Sequence, residues 1–81
     1  MVSKLKAGVI GCGSIARRHI YGYLVSGRYE VVALADVVAG TMEEFDKDFV
    51  EYHDYNPTHY TDASKMLDKE NLDVVSVCTC L

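Results

Sequence analysis

The spacing Gly11-x-Gly13-x-x-Ala16 constrains the fold more than any other feature of the sequence. It lies between the apolar run "LKAGVI" (5–10) and the helix-patterned segment "SIARRHIYGYLVS" (14–26). A strand that passes through two glycines directly into a helix opens a βαβ unit. Gly11 permits the tight turn. Gly13 carries no side chain, so an anionic group such as a pyrophosphate can approach the backbone, and Ala16 is small enough for the helix to pack close to the strand. The free N–H groups around Ser14 and Ile15 face that anion along the favourable end of the helix dipole, and the Ser14 hydroxyl adds a donor. Gly11, Cys12, Gly13, Ser14, Ile15 and Ala16 are therefore the candidate contacts to such a group.

The rest of the chain repeats the alternation. Residues 5–10 form a strand buried on both faces. The first helix carries Ala16, Ile20, Tyr23 and Leu24 at helical spacing, with Arg17, Arg18 and Tyr21 pointing elsewhere, and Gly27 stops it. Residues 29–36, "YEVVALAD", make a second strand. Thr41 and Glu44 form a capping box that starts a second helix, which Met42, Phe45, Phe49 and Tyr52 carry to about residue 53. The acids Glu43, Asp46, Asp48 and Glu51 are its solvated side. "NPTHYTD" breaks the pattern, leaving a short third strand at residues 59–61. Asp62 caps a helix to about Glu70, with Ala63, Met66 and Leu67 facing inward. "LDVVSVCT" (72–79) is a fourth strand. The order β-α-β-α-β-α-β predicts an α/β fold, a partial Rossmann-type doubly wound parallel sheet with strand order 3-2-1-4.

In this context an acid at the end of the second strand acquires a role. Asp36 lies 23 residues beyond Gly13 and closes "VVALAD". A carboxylate there accepts hydrogen bonds from the hydroxyls of an adenosine ribose and repels a 2′-phosphate. Val37 and Val38 offer no cation to hold such a phosphate, although Arg17 or Arg18 could approach from elsewhere. Asp36 and Val37 are the candidate ribose contacts, and the cofactor expected is NAD rather than NADP. A flavin or S-adenosylmethionine protein shares parts of the pattern. A non-catalytic nucleotide-sensing module would show all of it, and loop residues without a ligand are the remaining alternative.

Composition removes other classes. With a net charge of −4 over 81 residues there is no basic footprint for nucleic acid or an anionic membrane. No apolar run is long enough to span a bilayer. The apolar start runs straight into the glycine turn, too short for a signal peptide, so a cytoplasmic chain is expected. Cys12, Cys78 and Cys80 are odd in number and lack the paired spacing of a zinc site. No metal site is expected, and Cys78 and Cys80 read as small apolar residues on one strand face.

The segments "KLKAGVIGCGSIARRHI", "YEVVALADV" and "YTDASKMLDKENLDVVSVCT" resemble the N-terminal region of the Gfo/Idh/MocA family, named for glucose-fructose oxidoreductase, inositol dehydrogenase and rhizopine catabolism. The resemblance covers nearly the whole chain. It implies a Rossmann domain followed by a larger substrate-binding domain, and hydride transfer between NAD or NADP and a hydroxyl carbon of a sugar, cyclitol or related compound. It places Gly11, Gly13 and Ala16 at the pyrophosphate, Asp36 at the ribose, and Thr79 near the cofactor. His19 matches the family's helix histidine, read as a buried structural hydrogen-bonder rather than a catalyst. His53 and His59 have no partner pattern and are expected to face solvent.

Where the family continues with Pro and often Asn after the Thr79 position, this sequence has Cys80 and Leu81. The family's Glu-Lys-Pro segment and its acid–base residues have no counterpart among these residues, so none is assigned as proton donor or acceptor. Residues 1–81 are read as the N-terminal part of a dinucleotide-binding domain, with the substrate domain absent. The full-length protein is expected to assemble from identical subunits. The 81-residue piece alone is expected to be inactive, and the open edge of its last strand to favour self-association.

Overall fold

The structure, a computed structural model, describes residues 4–11 and 13–78. Strand β1 (Leu5–Ile10) leads into helix α1 (Ser14–Ser26), followed by β2 (Tyr29–Ala35), α2 (Ala39–Phe49), β3 (Tyr55–Tyr60), α3 (Ala63–Lys69) and β4 (Val74–Val77). All strand pairs are parallel, in the order β3-β2-β1-β4. Among the described residues no helix is long and apolar enough to cross a membrane.

Helices cover both sheet faces. On one, Ala16, Ile20 and Leu24 of α1 and Met42, Phe45 and Phe49 of α2 pack over Val9, Val31, Leu34 and Tyr55. On the other, Met66 of α3 packs with Ala33 and Ala35, bordered by Ile10, Leu72 and Val75. The chain steps outward from β1 to β2 to β3, then crosses to the opposite side of β1 to lay down β4. The carboxyl ends of β1 and β4 thus flank a topological switch point, where open α/β sheets form their binding crevice.

Local chemistry accounts for the element ends. Gly27 closes α1 in the left-handed region at φ 73°. Asp62 caps α3, its carboxylate accepting the Ser64 N–H at 2.9 Å. The core on the α1–α2 face is rich in aromatics: Phe45 meets Phe49 edge-on at 6.3 Å between ring centroids, and Phe49 lies 5.4 Å from the Tyr55 ring. Arg17 lies with its guanidinium carbon 4.8 Å from the Phe45 ring centroid and pairs with Asp48, joining α1 to α2.

Several local expectations are corrected. Helix α2 starts at Ala39, with Val38 as its N-cap, so Thr41 lies inside the first turn and the capping box does not mark the start. Asp36 Oδ1 accepts the Val38 N–H at 2.8 Å in the turn that leads into the helix, which itself has no side-chain cap. The helix ends at Phe49, although half-buried Tyr52 still packs on the core. Strand β3 begins at Tyr55, four residues before the expected start, and runs through Pro57. Proline is tolerated there because, among the described residues, β3 is an edge strand, and the β2–β3 register shifts between the Val31↔Tyr55 and Ala33↔Thr58 pairs. Leu67 is 52% exposed rather than inward-facing. Cys78 lies just beyond β4, half-buried against the core, while Cys80 lies outside the described residues.

Two histidines also differ from expectation. His59 is half-buried: its Nε2 is enclosed, 2.8 Å from Asp46 Oδ2, without the alignment of a hydrogen bond. Asp46 Oδ1 accepts the Tyr55 hydroxyl at 2.9 Å, so this helix acid grips β3 rather than facing only solvent. His19 makes a hydrogen bond to Ser76 at 3.0 Å, but the residue is exposed, not buried. His53 is exposed.

Candidate functional site

At the carboxyl end of β1 the chain turns at Gly11, whose φ of 85° is rarely adopted by an L side chain. The Gly11 N–H donates to the Ala35 carbonyl at 2.7 Å, which holds the glycine turn against the end of β2. Gly13 is the N-cap of α1, in extended conformation and without a side-chain cap. A Cβ built at Gly13 would meet nothing within 4 Å, so the space in front of it is open. Ser14 and Ile15 are exposed, Ala16 is fully buried beneath them, and α1 carries no acidic residue in its first turn. The positive end of this helix is therefore not neutralised by a carboxylate of its own.

Asp36 stands at the end of β2. Its N–H donates to the Tyr60 carbonyl at 3.0 Å and its Oδ1 accepts from Val38, so backbone and carboxylate are both oriented by the surrounding chain. Gly11, Asp36 and Val37 line one open concavity of about 240 Å³, together with Ile10, Ala35, Thr61 and Ala63. Val37 is 86% exposed. The fold thus brings the glycine turn and the strand-end acid, separated in sequence, to a single cleft above the carboxyl ends of β1 and β2. Arg17 faces Phe45 and Asp48 on α2. Cys12 and Thr79 lie outside the described residues.

Thr61 and Ala63, from the β3–α3 connection, carry no motif that marks them as site residues, yet they line the cleft, as residues just past a strand's carboxyl end do in such a sheet. Tyr60, beside them, donates its hydroxyl to Glu70 at 2.5 Å. That hydrogen bond, partial burial and the negative charge of Glu70 push the Tyr60 phenol above its ordinary value of 10.0. A larger hollow of about 640 Å³ lies at the opposite end of the sheet, between the end of α2 and the start of β3, lined in part by Asp46, Glu51, Tyr52 and His53. None of the glycine-turn or strand-end residues reaches it, so it is not the cleft that the sequence pattern describes.

Known structures share this fold. Myo-inositol dehydrogenase from Lactobacillus casei, solved with NAD(H) and myo-inositol, is 32% identical and superposes with a TM-score of 0.79 over 94% of this chain and 22% of its own. The WlbA dehydrogenase from Bordetella pertussis, solved with NADH and UDP-GlcNAcA, is 25% identical, with a TM-score of 0.73 over 94% of this chain and 22% of its own. Myo-inositol 2-dehydrogenase from Lactobacillus plantarum, 24% identical with a TM-score of 0.76 over 96% of this chain and 22% of its own, shares the fold. The chain thus spans about a fifth of the length of these structures. No curated protein matches the sequence. The family model described as "Oxidoreductase family, NAD-binding Rossmann fold" matches residues 5–80, and the chain belongs to that family, Gfo/Idh/MocA.

Proposed function

We propose that residues 1–81 are the N-terminal, cofactor-binding part of an NAD-dependent oxidoreductase whose substrate, a sugar, cyclitol or related polyol, is held by a further domain. The observation that carries this reading is the meeting of Gly11 and Asp36 in one cleft at the carboxyl ends of adjacent strands, with an uncapped helix start beside it. That neighbours covering the same fold are four to five times as long supports the domain assignment.

The residues fit a dinucleotide. The bare backbone at Gly11 and Gly13, with Cys12 between them, would receive the pyrophosphate, and the N–H groups of Ser14 and Ile15 would donate to its oxygens. Ala16 keeps α1 close to the sheet so that this helix end stays at the cleft. Asp36 would accept from the ribose hydroxyls, and Val37 would lie against the same nucleoside. Thr79 would approach the cofactor from beyond β4. NAD is favoured over NADP because Asp36 repels a 2′-phosphate and Arg17 is engaged by Asp48. The bound nicotinamide supplies hydride transfer, while this chain binds and orients it. An odd number of cysteines supports a reducing, cytoplasmic setting, and the family resemblance supports assembly from identical subunits.

Calorimetric titration of the chain with NADH, NADPH, FAD and S-adenosylmethionine tests the reading. Binding of NADH in preference to NADPH, with neither FAD nor S-adenosylmethionine bound, is expected. Binding of only the last two would replace the cofactor assignment.

A further inference from the structure

We propose that Ser76 is a positioning residue for the dinucleotide, acting through a hydrogen-bond network that ties β4 to α1. The proposal rests on the cofactor reading above. Ser76 is 7% exposed and the one buried polar residue found in the described core. Its Oγ lies 2.5 Å from the Tyr23 hydroxyl and 3.0 Å from His19 Nδ1, two side chains one turn apart on α1. A serine hydroxyl has one proton to donate and lone pairs to accept with, so it can serve both partners at once.

Stability alone gives little reason for this arrangement. Exchanging a buried hydrogen-bonded pair for apolar groups of the same shape is often close to neutral, and the neighbouring core is apolar. What a hydroxyl held from two directions adds is a defined distance and rotation between two elements. β4 needs such a tie. It pairs with β1 and, among the described residues, forms one edge of the sheet. Ser76 stands opposite Val9 in that pairing, on the face that α1 covers.

The two elements so joined are those that a bound dinucleotide must span. Its pyrophosphate would lie at the start of α1 and its adenosine over the end of β2, where Asp36 stands. The second nucleoside would then run the other way, past β1, over the carboxyl end of β4. Ser76 lies one residue before that end. Rotating α1 against β4 would misalign the two halves of the cofactor while leaving the half held by α1 and β2 untouched.

This predicts a split between ligands. The chain and its Ser76→Ala and Tyr23→Phe variants are titrated with NADH and with ADP-ribose, which lacks the nicotinamide, following amide shifts in α1, with a thermal melt of each. Tyr23→Phe keeps the ring that packs 4.8 Å from Tyr29 and removes only the hydroxyl, so it reports even where Ser76→Ala is poorly folded. The expected result is NADH binding weakened roughly three- to ten-fold, the worth of one neutral hydrogen bond. ADP-ribose binding is unchanged, and Ser76→Thr, which restores a hydroxyl, recovers most of the NADH affinity. Equal weakening of both ligands would reduce Ser76 to a support of the fold and overturn the proposal, as would no change in either. Wild-type chain that binds neither ligand would instead remove the cofactor reading itself, and this proposal with it.

Discussion

The backbone N–H of Val38 donates to Asp36 Oδ1 at 2.8 Å, so the carboxylate that follows β2 is aimed by the residue that caps α2. An acid so oriented needs little reorganisation to accept from a ligand hydroxyl. Replacement of Asp36 by Arg should remove charge-assisted hydrogen bonds worth about 1.5–3 kcal/mol, weakening NADH at least ten-fold, and should raise the affinity for NADPH relative to NADH. Unchanged selectivity in a calorimetric comparison of the two cofactors would place Asp36 away from the ribose.

The two glycines of the turn should fail in different ways. At Gly11 the φ of 85° makes Ala strained, at a cost of about 1–3 kcal/mol, so Gly11→Ala should lower the melting temperature. At Gly13 a Cβ meets open space at an ordinary φ of −101°. Gly13→Ala should therefore melt within about 1 kcal/mol of the wild type yet bind NADH more weakly, because the added methyl stands where the anion approaches. Equal melting temperatures for the two variants would contradict the turn geometry.

Tyr60 and Glu70 make stability sensitive to alkali. The Tyr60 phenol is raised above 10.0 by its hydrogen bond to Glu70, with burial and the Glu70 charge adding to the shift. The folded state therefore favours the protonated phenol. Its contribution is whole below pH 10.0 and is lost as pH rises through the higher folded value, because the unfolded chain releases the proton first. Urea denaturation at stepped pH should show the wild type losing stability above pH 10.0 more steeply than Tyr60→Phe. Parallel curves would mean the hydrogen bond is not kept in solution.

Phe45 should be the most damaging aromatic to truncate. It is 2% exposed, meets Phe49 edge-on and underlies Arg17. Phe45→Ala should cost about 3–5 kcal/mol. A domain of this size holds roughly 0.05–0.15 kcal/mol per residue, so circular dichroism should find the variant largely unfolded or melting far below the wild type.

Cys78 should react slowly. Burial pushes its thiol above the ordinary 9.0, so the thiolate is scarce at neutral pH. Site-resolved mass spectrometry after iodoacetamide treatment should show Cys78 modified slowly in the folded chain and at the rate of a free peptide cysteine in guanidinium. Equal rates in both conditions would show that Cys78 is not covered.

What the residue order determined by itself is whatever rests on local chemistry. Gly11, Gly27 and Asp62 act through the turn and cap preferences of their own backbone, and the apolar periodicity of 14–26 and 42–49 is a property of one helix at a time. The alternation of strands and helices, with right-handed crossovers, then restricts the sheet to the order β3-β2-β1-β4. Only the tertiary structure decided the rest. Pro57 reads as a breaker, yet the sheet accepts it because it falls on an edge strand at a register shift. The capping pattern at Thr41 falls inside the first turn of a helix that starts at Ala39 without a side-chain cap. Ser76 meets Tyr23 across 53 residues and His19 across 57, and Asp46 reaches Tyr55 and His59 from a different element. Such pairings leave no local trace, because their geometry exists only after the strands have aligned and the helices have settled on the sheet.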